Sequence, residues 1–205
     1  MKRSEGLTPN SFEFKHNQTG TKSWSEVGRG RCGSVLAMGH DQVAFCVRCG
    51  GRLESIQSEG RTRLACSVAG CGYVFYGNPL PVVAALLEHE GHIILVRNKS
   101  WPATWYGLVS GFLEAGETPE QAVLREVQEE LGLSASIVSL VGVYPFFERN
   151  EVIVAYHVRA SGEIRLGEEL ADYRVVPPEK LRPWSFGTGL AVAAWLEQRS
   201  RARPE

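Results

Sequence analysis

Apolar and polar positions fall into three regimes along this chain. From Met1 to Ala44 they follow neither a helical nor an extended period, and Gly, Ser, Thr and Asn are frequent, with a Gly-rich run from Gly28 to Gly33. Residues 1–44 are therefore expected to be a poorly ordered extension, and Met38 is a candidate natural start, so the first 37 residues should be dispensable. From Phe45 to Gly72 large apolar side chains are too sparse to build a core, so residues 45–76 need some other staple. From Pro81 the pattern becomes that of a mixed domain spanning 77–200, with 201–205 left as a tail. Val82 to Glu88 and His92 to Val96 read as two strands of a hairpin about His89, Glu90 and Gly91. Further strands are expected at Phe112 to Leu113, Ser136 to Val143, Val152 to Arg159 and Tyr173 to Val176. Helices are expected at Pro119 to Leu131 and about Thr188 to Gln198, and no internal repeat is visible.

Length and composition agree with a full domain plus a small companion: 205 residues, 43% hydrophobic and 22% charged. With 22 Lys plus Arg against 23 Asp plus Glu, no basic field advertises a nucleic-acid or membrane partner, so RNA is possible but not indicated by charge. The longest apolar stretch, Pro79 to Leu87, falls well short of the about 20 residues needed to cross a bilayer. The N-terminus lacks the apolar stretch of a secretory signal, which places the protein in the cytoplasm, where disulfides are disfavoured.

Cysteine spacing supplies the missing staple. Cys46 and Cys49 form a C-x2-C knuckle followed by Gly50 and Gly51, and Cys66 and Cys71 enclose four residues. Four thiolates can close a tetrahedral site that suits Zn2+ and leaves no position for a reactive water, so the ion would be structural. The alternative is two buried or disulfide-bonded pairs. Cys32 lies outside both knuckles and has no assigned role.

The second chemical signal is a helix with too many carboxylates on one arc. Thr118, Pro119 and Gln121 give an N-cap, a proline in the first turn and a capping-box partner, and Gly132 supplies the stop. Val123, Leu124, Val127 and Leu131 share one arc, with Glu126, Glu129 and Glu130 on the next. Like charges at this spacing repel by about 0.2–0.5 kcal/mol per pair. Divalent ions such as Mg2+ or Mn2+ would neutralise them and still bind phosphate oxygens; the alternative is a solvated face with Arg125 paired to Glu129.

Residues 111 to 133 resemble a Nudix box, G-x5-E-x7-R-E-U-x-E-E-x-G-U, at every defined position: Gly111, Glu117, Arg125, Glu126, Val127, Glu129, Glu130, Gly132 and Leu133. The resemblance implies an α/β/α sandwich with a mixed sheet, here preceded by a four-cysteine zinc ribbon. It also implies that Glu126, Glu129 and Glu130 bind metal with the Gly111 carbonyl, that Glu117 supports them, and that Arg125 orients them. The ribbon, the connector Tyr76, Gly77, Asn78, Pro79 and the box together resemble the NADH pyrophosphatase branch and its zinc-ribbon relatives, over about residues 45 to 198. Such enzymes split NADH, ADP-ribose or FAD at the pyrophosphate, some remove NAD caps from RNA, and related ribbon proteins often form homodimers.

One departure bears on substrate choice. The branch typically carries S-Q-P-W-P-F-P-x-S after the box, whereas this chain has Val143, Tyr144, Pro145, Phe146, Phe147, Glu148, Arg149 and Asn150. Tyr144 or Phe146 could stack on a nucleobase or serve as core aromatics. Beyond the box, the resemblance implies a further metal ligand or general base at Glu169, with Glu126 the alternative base. The function expected is divalent-metal-dependent hydrolysis of a nucleoside diphosphate derivative; removal of NAD-type RNA caps and a nucleotide-sensing module are the alternatives.

Overall fold

The computed structural model describes residues 44–201, together with the backbone of two short strands nearer the N-terminus. The chain divides into two units, Met1–Leu36 and Ala37–Glu205. In the first, β1 (Phe14–His16) and β2 (Lys22–Trp24) pair antiparallel. Met38, Cys32 and the remainder of that extension up to residue 43 lie outside the described residues.

The second unit opens with the cysteine module. Strands β3 (Leu53–Ser58), β4 (Arg61–Cys66) and β5 (Val74–Phe75) form a three-stranded antiparallel sheet. The turn between β3 and β4 is Glu59 and Gly60, both at positive φ (52° and 75°), a geometry whose twist matches the paired strands. The sequence reading missed these strands. The four inner residues of β3 are all exposed, so no alternation of buried and exposed side chains betrays it.

The larger domain is a mixed sheet between two helices. It contains β6 (Leu80–His89), β7 (His92–Asn98), β8 (Val109–Phe112), α1 (Pro119–Leu131), β9 (Ser134–Phe146), β10 (Glu151–Ser161), β11 (Leu170–Val176) and α2 (Gly189–Arg201). The sheet order is β11-β7-β6-β10-β9, with β8 paired to β6; β10 runs parallel to β6 and the other pairings are antiparallel. Alternating residues of β6 divide the core. Val83, Ala85 and Leu87 meet Val123, Val127 and Leu131 of α1, whereas Val82, Ala84 and Leu86 meet Ala191, Val192 and Trp195 of α2. A strand buried on both faces reads as a continuous apolar run, which is what Val82 to Leu87 presents.

Several boundaries shift from their sequence expectation. The β6–β7 turn is two residues, Glu90 (φ 49°) and Gly91 (φ 76°), and His89 pairs with His92 inside the ladder rather than in the turn. The strand into the helix loop is Val109–Phe112, so Leu113 has already left it and Trp105 to Leu108 precede it; Gly107 makes an isolated bridge to Val96. β9 is longer than expected because bulges let it follow β10 to Phe146.

Cysteine module and sheet are joined at the connector. Asn150, at positive φ of 50°, donates from Nδ2 to the carbonyls of Gly77 (3.2 Å) and Asn78 (3.3 Å) and accepts from the Leu80 amide (2.9 Å). On the module side the Arg63 guanidinium lies 4.4 Å over the Tyr76 ring. Among the described residues, no helix is long and apolar enough to cross a membrane.

Candidate functional site

Two clusters of like groups stand out, one of thiols and one of carboxylates. The four Sγ atoms of Cys46, Cys49, Cys66 and Cys71 all lie within 4.8 Å of one another, with Cys49 to Cys66 at 3.4 Å and Cys46 to Cys71 at 3.8 Å. The fold brings them together locally. The Cys46 amide donates to Gly51 O at 2.7 Å and closes the first knuckle, and the Cys71 amide donates to Val68 O at 3.1 Å and closes the second. Gly51 has to lack a side chain, since a Cβ there would lie 2.4 Å from Val68 and 3.1 Å from the Cys66 sulfur. Burial works against ionising Cys46, yet the Arg48 and Cys49 amides and the Cys71 thiol bring it down to about 7. For Cys66 the Val68 amide pulls down, but burial and the adjacent thiols outweigh it and push it up to about 12. The four cannot all be thiolates without a cation among them, and the donor set fits Zn2+.

The carboxylate cluster is built on α1. Thr118 Oγ1 accepts from the Gln121 amide (3.3 Å) while Gln121 Oε1 accepts from the Thr118 amide (2.8 Å), a complete capping box. Tyr156 of β10 donates to Glu120 Oε1 at 2.7 Å and ties the first turn to the sheet, a contact the sequence reading missed. Arg125 is the hub. It reaches both oxygens of Glu117 (2.8 and 3.1 Å), Glu126 Oε1 (2.8 Å), Glu129 Oε2 (2.9 Å) and the Phe112 carbonyl (3.1 Å), which fixes the loop before the helix against the helix itself. The Arg125 hydrogen bonds hold the Glu117 carboxyl below its ordinary range.

Glu126 and Glu130 behave differently. Burial raises Glu126 despite its Arg125 partner, with Glu129 and Glu169 adding repulsion. Glu130 is pushed up to about 8 by burial first, then by Glu126, Glu169 and Glu129. Its Oε2 is buried with no hydrogen-bond partner. A buried carboxylate oxygen without a hydrogen-bond partner, in the field of other carboxylates, is a donor set that fits a hard divalent cation. Gly111, paired with Val83 across β8 and β6, is shaped to the same site: a Cβ there would fall 2.0 Å from Glu126 Oε1. The carboxylates nevertheless do not gather as tightly as the thiols, which among the described residues are the set that meets within 4.8 Å. Arg125 accounts for part of that spread by drawing Glu126 and Glu129 toward itself.

Glu169, outside the helix, enters this field through its repulsion of Glu126 and Glu130. Tyr144 and Phe146 do not join it. Both pack into the cluster on the α2 face of the sheet, opposite α1; Tyr144 donates to the Val141 carbonyl at 3.4 Å, and Phe146 lies 6.4 Å from Phe186 between ring centroids. Tyr144 also lines a shallow cleft of about 250 Å³ beside the connector, with Pro79, Val143 and Phe147.

The NUDIX domain signature matches residues 77–194, from the connector into α2. The chain belongs to the Nudix hydrolase family. It is 30% identical over 171 residues to the NAD-capped RNA hydrolase NudC of Vibrio vulnificus, covering 80% of this chain and 62% of that protein. It is 39% identical over 104 residues to the ADP-ribose pyrophosphatase of Methanocaldococcus jannaschii, covering 47% of this chain and 61% of that protein. The chain spans 51% to 63% of the length of the first NudC relatives it matches. A crystal structure of a Nudix hydrolase from Nitrosomonas europaea superimposes with a TM-score of 0.66 at 26% identity, covering 78% of this chain and 94% of that one. The Nudix box of the family is therefore the Gly111 to Leu133 segment whose geometry is given above, and the Nudix fold is the sandwich around it.

Proposed function

We propose that this Nudix protein hydrolyses the pyrophosphate bond of a nucleoside diphosphate derivative of the NADH, ADP-ribose or FAD type and releases a nucleoside monophosphate. The observation that carries the reading is Glu130: a carboxylate pushed up to about 8, one oxygen buried without a partner, facing Glu126, Glu129 and Glu169. Mg2+ or Mn2+ bound there would neutralise the pyrophosphate and acidify a water. Glu126, Glu129, Glu130, Glu169 and the Gly111 carbonyl are the ligands we assign. Glu117 holds Arg125, and Arg125 holds Glu126 and Glu129 in place. Glu169 or Glu126 takes the proton from the attacking water, and its change to Gln should cost about 10²- to 10⁴-fold in turnover. Zn2+ in the cysteine cluster is structural. Tyr144, on the wall of the cleft, remains the candidate for base stacking; Phe146 belongs to the core. A cytoplasmic location and a homodimer complete the reading.

NAD-capped RNA is the second substrate reading, supported by the names of the NudC relatives and by an alignment to them longer than the Nudix match alone. One panel tests both. The chain is incubated with Mg2+ or Mn2+ and NADH, ADP-ribose, FAD or NAD-capped RNA, and products are separated chromatographically. The expected result is a nucleoside monophosphate, or 5′-monophosphate RNA, that disappears with Glu130→Gln. Equal product from parent and variant would return the box to a solvated acidic face and favour a nucleotide-sensing module.

A further inference from the structure

Glu169 comes from the segment Gly162–Glu169 between β10 and β11, which has neither helix nor strand yet is fastened on both sides. On the helix side, the Arg165 amide donates to Leu131 O and the Gly167 amide to Glu130 O, each at 2.8 Å. These satisfy two of the carbonyls that a helix leaves open at its C-terminal end, while the Gly132 amide takes Gln128 O. The approach is close enough that a Cβ on Gly167 would lie 2.4 Å from Glu129 O and 3.3 Å from Glu130 Cα, so any side chain there must lift the segment off α1. Backbone, not a flexible side chain, is what it would meet.

On the sheet side Lys99, just beyond β7, grips the same segment twice. Its amide donates to Glu169 O at 2.9 Å, and its Nζ donates to Glu168 O. Immediately after Glu169 the β11–β7 ladder slips between Leu170 and Asp172, a bulge of the kind that re-aims the residues beside it. Among Glu126, Glu129, Glu130 and Glu169, Glu169 is thus the one that α1 does not carry, and its position depends on this double attachment.

We propose that Gly167 and Lys99 are positioning residues that hold the Glu169 carboxylate beside Glu126 and Glu130, completing a four-carboxylate cation site. The proposal rests on the reading of those carboxylates as a divalent-cation site. Gly167 sets how closely the segment lies on the helix end, and Lys99 stops it sliding along the sheet edge. Neither touches substrate.

Mn2+ binding to the zinc-loaded 205-residue chain, read from loss of the free-ion electron paramagnetic resonance signal, tests this without turnover. Gly167→Ala should weaken Mn2+ binding by about 10- to 100-fold, the range for residues that orient metal ligands. Lys99→Met should weaken it by a smaller factor and Lys99→Arg should restore it; this side chain is exposed, so its loss leaves the fold intact. In a Glu169→Gln background neither change should cost anything more, a non-additivity that a general loss of structure would not produce. Parental Mn2+ affinity in folded Gly167→Ala and Lys99→Met, or losses that persist in full beside Glu169→Gln, would overturn the proposal alone. Absence of Mn2+ binding by the parent would overturn the cation-site reading beneath it.

Discussion

The thiol cluster and the carboxylate cluster pose the same electrostatic problem and stand in opposite relation to folding. In the ribbon, Cys46 is the single buried residue between 44 and 76, and Val47, at 80% exposure, shows how little apolar surface is covered. In the Nudix domain two packed clusters flank the sheet, and Leu86, Leu87, Ile93 and Ile94 are wholly buried. Burial can therefore stabilise the Nudix fold without any cation, and the glutamates are placed at that fold's expense. The ribbon has no such reserve, so an ion bound by its four cysteines would have to hold it together. The largest expected effect follows: Cys49→Ser, or a strong chelator, should unfold the ribbon, because structural zinc sites in peptides are worth on the order of 10 to 16 kcal/mol. Hydrogen exchange should show residues 45–76 losing protection while β6 and β10 keep theirs. A ribbon that stays protected after zinc is removed would erase the contrast.

Withholding divalent cations from the carboxylate site should do something different. Burial raises the Glu130 pKa to about 8 from an ordinary 4.5, so the folded, cation-free protein binds this proton more tightly than the unfolded chain. The stability that the protonated group allows is complete below pH 4.5 and is lost as pH rises through about 8. Cation-free parent protein should thus lose melting temperature between about pH 5 and about pH 8 and level off above, and added Mg2+ should restore it. Glu130→Gln should flatten that pH dependence and melt higher than the parent at pH 8 without metal, while turnover collapses. A variant that melts lower than the parent under those conditions would show that Glu130 stabilises the domain outright.

The same contrast explains what could be read from sequence. The α1 boundaries, the capping box and the β6–β7 hairpin were legible because each depends on neighbours in the chain: Thr118 with Gln121, Glu90 with Gly91. The cysteines and the Nudix box were legible because their chemistry demands fixed spacings. Strands β3 and β4 were not, since a strand stapled by its ends need not alternate apolar and polar side chains. The attachments around Glu169 were also hidden. Lys99 acts through a carbonyl 69 residues away, and Gly167 acts through the absence of a side chain against Glu129 O, neither of which leaves a periodic trace. Tyr144 and Phe146 carried an aromatic signal that fits either a base or a core; both pack beside the α2 cluster, and Tyr144 also lines the cleft beside the connector.

The smallest expected effect lies on the α2 face and tests whether packing there carries the domain. His157 of β10 is buried, with Nε2 3.0 Å from Glu88 Oε2 and its ring 5.5 Å from Trp195, edge-on. Arg159 reaches the same Glu88 oxygen at 3.7 Å, and Arg199 of α2 lies 5.2 Å over Trp195. Burial lowers the His157 pKa below 6.5; Glu88 opposes the shift, and Arg159 and Arg199 reinforce it. The folded protein therefore accepts this proton less readily than the unfolded chain. The contribution of His157 is complete above pH 6.5 and is lost as pH falls from there toward the folded pKa. Between pH 7 and 5 the Nudix transition should move to lower temperature. In His157→Gln, which keeps a donor for Glu88 but has nothing to titrate, that slope should be shallower. Melting curves followed through tryptophan fluorescence, to which Trp101, Trp105, Trp184 and Trp195 of this domain contribute, would report this transition separately from the ribbon, which contains no tryptophan. Identical slopes in parent and variant would mean that α2 adjusts to charge at His157 and that the acid sensitivity of the domain arises elsewhere.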